Sequence, residues 1–221
     1  PIRRLFLSAI LWLLPGLVLA EAGAFQFVSG DVKIVSPDGR ATVAAKGAKI
    51  SEGDTIVTGA NGNAQLRMAD EALISIRPDS TLRFDTYRYA GKEDGSEKGV
   101  LGLIKGGFRT LTGLIGRANK NNYLVRTPTA TIGIRGTDHE PYVLSAELAA
   151  STGNKEGTYD KVNRGGTTMQ VGENTLDIDA GRVGFVRAPA KPDAEKKSGF
   201  RERALLTILL PVLLDKVPNF Y

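Results

Sequence analysis

An all-β fold is what this 221-residue sequence predicts: a single sandwich or solenoid-like domain of many short, mostly antiparallel strands. Three observations carry the prediction. From Phe25 to about Ala188, short runs of alternating polar and apolar residues recur at roughly 8–12-residue spacing with turn signals between them. The 3.6-residue apolar period of a helix is almost absent from that span. The chain has no cysteine, so neither a disulfide framework nor a thiolate metal site is available and the core must hold by packing alone.

The strands follow in order. Over 31–35, Val32 and Ile34 share a face, and Pro37-Asp38-Gly39 supplies the dihedrals of a hairpin turn. Gly53-Asp54 precedes a strand over 55–58, and the Gly59 to Asn63 turn leads into 64–68, where Leu66 and Met68 point inward and Gln65 and Arg67 outward. Asp70-Glu71 forms a tight polar turn before 73–76, and Pro78-Asp79-Ser80 turns into 81–85, with Leu82 and Phe84 on the core face. Residues 88–98 read as a solvated loop. Residues 100–115 read as two strands bent at Gly106-Gly107, because two glycines inside a helix would cost about 2 kcal/mol. A polar loop over 117–122 leads to a strand over 123–126. Beyond it come a strand over 142–144, a short helical or loop insertion over 145–154, and strands over 157–159, 168–171, 175–178 and 182–186, with Gly172 and Gly181 at turns.

The ends differ from this body. Residues 1–20 combine Arg3-Arg4, an apolar run and a small-residue exit at Ala20, which is the composition of a secretory signal peptide. The uncharged run from Leu5 to Ala20 contains Pro15-Gly16 and is short for a bilayer span, so cleavage after Ala20 is expected, leaving no stable membrane span. The β domain then covers 21–188. A charged linker and short apolar tail occupy 189–221, and the run over 204–214 has three readings: docking on the β domain, lying on a membrane surface, or no role in the fold. The formal charge of +5 comes mostly from these ends, since 1–20 and 191–221 contribute +2 each and 21–190 only +1. A phosphate-tracking groove needs clustered Lys and Arg. None is visible, and no nucleic-acid partner is expected.

The most specific stretch is Thr127-Pro128-Thr129-Ala130-Thr131-Ile132-Gly133-Ile134-Arg135-Gly136-Thr137. Pro128 restricts Thr127 to an extended conformation, Ile132 and Ile134 share one strand face, and Gly133 and Gly136 mark bends or close backbone passage. Together with Gly30-Asp31-Val32, the 52–59 run Glu-Gly-Asp-Thr-Ile-Val-Thr-Gly, 64–68, 76–82 and Leu103-Ile104-Lys105-Gly106-Gly107, it gives residues 30–143 a pattern that resembles the FecR domain. That family's usual Asp-Gly-Ser hairpin is here Asp70-Glu71-Ala72. The resemblance implies an all-β domain outside the cytoplasm. Regulators of that family place a cytoplasmic anti-sigma segment and a spanning helix before the domain. Neither is visible here, so the chain resembles a stand-alone exported version.

Candidate chemistry is sparse. The only histidine, His139, lies between Asp138 and Glu140; on a strand the two carboxylates share one side and His139 faces the other, so the three do not converge on an ion without a bulge. A surface or edge-strand position is the plainer expectation for His139. Arg126 and Arg135 flank the signature stretch and suit either an anionic ligand or an internal ion pair, with Asp138 as one partner. Arg126, Arg135, Asp138, His139 and Glu140 are therefore the candidate contacts, with no catalytic, cofactor or metal residue expected. No Gly-x-Ser-x-Gly elbow and no phosphate-binding Gly-rich loop occurs. The leading function is a non-enzymatic exported module that binds an envelope protein or polymer. Two alternatives are a periplasmic enzyme acting on envelope carbohydrate through a carboxylate pair such as Asp177 and Asp179, and the extracytoplasmic part of a signalling regulator.

Overall fold

The computed structural model describes residues 21–92, 94–189 and 211–214. The expected signal peptide and most of the expected linker and tail lie outside them. The chain winds between two sheets, here called front and back. β1 (Glu21–Ser29) is in front; β2 (Val32–Val35) and β3 (Ala41–Val43) form the hairpin expected at Pro37-Asp38-Gly39, in back. β4 (Lys49–Ser51) returns to the front, β5 (Thr55–Thr58) to the back, β6 (Asn63–Met68) and β7 (Leu73–Ile76) to the front, and β8 (Thr81–Arg88) to the back. β9 (Lys98–Leu111) belongs to both sheets. After it come α1 (Leu114–Ala118) and a single 3₁₀ turn, then β10 (Tyr123–Arg126) and β11 (Thr131–Ile134) in back and β12 (Asp138–Leu144) in front. α2 (Ala146–Thr152) and β13 (Gly157–Arg164) precede β14 (Gly166–Val171) and β15 (Asn174–Asp179) in back; β16 (Val183–Arg187) and β17 (Val212–Leu214) complete the front.

The front order is β4-β1-β6-β7-β9-β12-β13-β16-β17 and the back order β3-β2-β5-β8-β9-β10-β11-β14-β15. Every pairing is antiparallel except β9 with β10. Both orders nearly follow the sequence, so the two architectures expected from the sequence merge: a sandwich whose chain advances along one axis as it passes between layers. One apolar core joins the sheets, with Phe25, Leu66, Ile74 and Phe108 from the front meeting Ile56, Phe84, Leu101, Val125, Ile132 and Met169 from the back.

The glycine bend expected at 106–107 is where β9 changes sheets. Gly106 has φ of +72°, and a Cβ there would sit 2.3 Å from the Ser80 hydroxyl, so the crossing needs both the left-handed backbone and the missing side chain. Leu114 and Ile115, expected in a strand, start α1 instead. Asp70, fully buried, explains the change: its carbonyl accepts from Leu114 N at 2.8 Å and its carboxylate accepts from Ile115 N at 3.2 Å and from the Tyr87 hydroxyl at 2.6 Å. The turn expected to be merely polar therefore anchors a helix start.

The 145–154 insertion is helical. Ser145 caps it by accepting from Leu148 N, and Gly153 ends it in the left-handed region. Of the three readings for the apolar run near the C terminus, the described part fits docking, since β17 adds to the free edge of β16.

Candidate partner-binding surface

The alternation expected around His139 holds, but its setting is different. β12 is not an edge strand; β9 and β13 flank it. His139 is fully buried between the sheets, with Nδ1 2.8 Å from Asp160, whose other oxygen accepts from the Thr167 hydroxyl at 2.6 Å. Nε2, the other ring nitrogen, has no hydrogen-bond partner among the described residues. The surface or edge position expected for His139 is thus overturned: three central strands and the opposing β14 enclose it.

Asp138 and Glu140 emerge on the outer face of the front sheet. Arg109 donates to both oxygens of Asp138, at 2.8 and 2.6 Å, and Asn163 bridges Asp138 and Glu140. Arg77 pairs with Glu140, and Lys161 lies 3.7 Å from it. The hydrogen bonds from Arg109 hold the Asp138 carboxyl below its ordinary range. Burial pushes Glu140 upward, but the bonds from Asn163 and Arg77 outweigh it and the net displacement is also downward. Among the described residues, no group of His, Asp and Glu side chains is arranged to hold a metal ion.

Arg126 and Arg135 lie on the back sheet, so the five sequence candidates occupy three separate environments. Asp138 is not the partner of Arg135. Arg135 instead reaches Asp179 at 2.8 Å and Asp177 at 3.6 Å, which places the carboxylate pair on one strand face, as expected, but around a cation on an open sheet. Of the bends or close passage expected at Gly133 and Gly136, Gly136 is a bend, while a Cβ on Gly133 would make only ordinary contact, 3.9 Å from the Leu124 side chain. A Cβ on Gly136 would meet nothing within 4 Å, and its constraint is φ of +84°; the crowded neighbour is Gly165, whose Cβ would fall 1.9 Å from the Gly136 carbonyl oxygen. The Thr127 turn has a further part in the fold. Thr129 donates to Thr158 at 2.6 Å, Thr158 to Thr127 at 2.8 Å and Thr127 to the Ala130 carbonyl at 2.9 Å, so hydroxyls clasp the back-sheet turn to β13 in front.

The outer front face holds residues the sequence reading did not single out. Across one row, Phe27, Gln65, Ser75 and Arg109 stand on neighbouring strands. They line a groove of about 340 Å³ together with Asn63, Ala64, Ile76 and Arg77. Phe25 and Phe27 would share a face in a regular strand, but the register slips between them, so Phe25 is buried while Phe27 is 52% exposed. A bulge of this kind leaves no mark in residue alternation, so the sequence alone does not show that Phe27 faces outward. Arg77 and Arg109 alternate correctly with Ile76 and Phe108, yet which acids they meet depends on strand order.

The FecR protein family model matches residues 54–154, from the turn before β5 to the end of α2. The chain carries a FecR domain. The match begins later than the resemblance noted at Gly30 and extends past Val143 to include α2. Strands β1–β4 and β13–β16, outside the match, complete both sheets around the FecR domain. Two crystal structures of a candidate anti-sigma factor from Parabacteroides distasonis align with 60% of this chain at TM-score 0.45 and 11% and 12% identity. The alignment covers 54% of that protein, so this chain spans about half its length. A cell surface anchoring domain aligns over 28% of this chain and 82% of its own, at 27% identity and TM-score 0.27. No curated protein matches. Among the described residues no helix is long and apolar enough to cross a membrane.

Proposed function

We propose that this FecR domain is a non-enzymatic, exported binding module that engages an envelope protein or polymer through the open half of its front sheet. One observation carries the reading: a half-exposed aromatic, Phe27, stands beside a shallow groove with two arginines, Arg77 and Arg109, on its wall. Aromatic and Arg side chains are the residues that most often anchor protein interfaces, because each buries a large surface for few rotatable bonds or forms several directed hydrogen bonds. The arginines are oriented in advance by Glu140 and Asp138, which lowers the ordering cost of binding. Of the sequence candidates, Asp138 and Glu140 support this surface from one side. His139 is a core residue, and Arg126 and Arg135 belong to the opposite sheet.

Site-specific photocrosslinking tests it. With a photoreactive side chain at Phe27 in the full chain, expressed in its native cells, a discrete crosslinked product is expected. The same probe at Ile104, an exposed residue in the back-sheet part of β9, is expected to give none. Equal products from both positions, or none from Phe27, would sink the proposal. The match to the FecR family favours a second reading, the extracytoplasmic part of a signalling regulator. It predicts that replacing Phe27 and Arg109 together changes envelope-responsive transcription; an unaltered profile would count against it. The carbohydrate-enzyme alternative gains no support from Asp177 and Asp179, which share Arg135 on an open face rather than facing each other across a cleft.

A further inference from the structure

The signature stretch ends beside a second recess that the proposed binding surface does not use. Leu111 and Thr112 at the end of β9, Arg117 on α1, Gly136 and Thr137 before β12, and Arg164 at the end of β13 enclose a hollow of about 240 Å³. Its walls are brought together by tight local bonding: Thr112 N donates to the Thr137 carbonyl at 3.0 Å, Thr137 N donates to the Thr112 hydroxyl at 3.1 Å, and the two hydroxyls lie 3.1 Å apart. Gly136 contributes no side chain, which keeps the mouth open.

Two guanidinium groups from separate elements therefore line one small recess. Arg117 and Arg164 are both exposed, and neither has an ion-pair partner among the described residues, in contrast to Arg77, Arg88, Arg109 and Arg135. The nearest acid to Arg164 along the ladder is Asp138, its register partner, and both of its oxygens are already taken by Arg109. Asp138 acts on Arg164 through space, but Arg109 already balances its charge, so the two guanidinium groups leave the hollow electropositive although the domain as a whole is nearly balanced.

We infer that this hollow binds carboxylates of an acidic peptide segment. Guanidinium forks match planar carboxylates with two parallel hydrogen bonds each. Phosphate sites built from backbone usually offer several free N–H groups converging on the anion. Here the amides of Thr112 and Thr137 are spent on each other, so the charged donors at the wall are the arginines, and Leu111 supplies an apolar side for the methylene groups of Glu. The inference stands independently of the Phe27 groove.

The test is titration of the full chain, followed by isothermal calorimetry at low salt, with three probes: a short Glu- and Asp-rich peptide, the same peptide with its side chains amidated, and inorganic phosphate. Binding of the acidic peptide alone is expected. Arg117→Gln and Arg164→Gln should each weaken it about tenfold and the double variant abolish it, the scale of one charge-assisted hydrogen-bond pair. Both side chains are exposed, so the variants should keep the wild-type melting temperature, and Phe27 crosslinking should be unchanged. Absence of acidic-peptide binding, affinity indifferent to both substitutions, or phosphate binding as tight as the peptide would overturn the assignment.

Discussion

The two halves of the outer front face belong to one continuous sheet yet are finished in opposite ways. Toward β16, Tyr142, Leu144, Tyr159, Val183 and Phe185 point outward, and α2 with Leu148 and Ala149 closes over them alongside Leu214 of β17, making a second small core. Toward β1, the strands carry Gln65, Ser75, Arg77 and Arg109, and among the described residues no element covers them. The boundary falls within β12, where Asp138 and Glu140 are paired with cations and Tyr142, two residues on, packs under the helix. A sheet face that is apolar acquires a lid; a face that solvates itself with ion pairs does not need one.

Four measurements would break or sharpen that contrast. The largest effect is expected under the lid. The Tyr159 ring lies 4.5 Å from that of Phe185 between centroids, and its hydroxyl donates to the Lys155 carbonyl at 2.7 Å, so Tyr159→Ala should cost about 3–5 kcal/mol in urea unfolding. A loss below 1 kcal/mol would mean the second core contributes little. On the boundary, Asp138→Ala removes the acceptor of two Arg109 bonds and should cost about 1–3 kcal/mol.

A pH series isolates the same ladder. Asp138 and Glu140 are held below their ordinary values in the folded state, so the unfolded chain binds more protons as pH falls. Their contribution is complete above the unfolded carboxylate range of about pH 4 and is lost as pH drops through the lower folded values. The urea midpoint of the wild type should therefore fall more steeply from pH 5 to pH 2 than that of an Asp138→Asn, Glu140→Gln double variant; parallel curves would remove the ladder from the stability account. The smallest effect on folding is expected on the open half. Phe27→Ser should change stability by less than about 0.5 kcal/mol, because the ring is half-exposed, while abolishing capture of whatever partner the groove takes.

Legibility in the sequence tracked the range of the interaction. The hairpin at Pro37-Asp38-Gly39, the alternation of Leu66 and Met68 against Gln65 and Arg67, and the helical or loop insertion after Ser145, which is a helix, all rest on neighbours a few residues apart, and all are found. Leu114 was misplaced because the group that starts its helix, Asp70, lies far off in the chain. His139 was misread for a related reason: period-two alternation says that it opposes Asp138 and Glu140, but not which side is the core.

By itself, the sequence determined the all-β class, the strand periodicity, the turn chemistry and the FecR signature, since these follow from backbone dihedral preferences and side-chain alternation. The crossing of β9 at Gly106 was visible as a bend but not as a change of sheet. Only the tertiary structure decided the partners of each charge, the outward turn of Phe27 at its bulge, the interior position of His139 and the meeting of Arg117 with Arg164 at Gly136. Each depends on which strands become neighbours, and that is fixed by burial of the whole core rather than by any local run of residues.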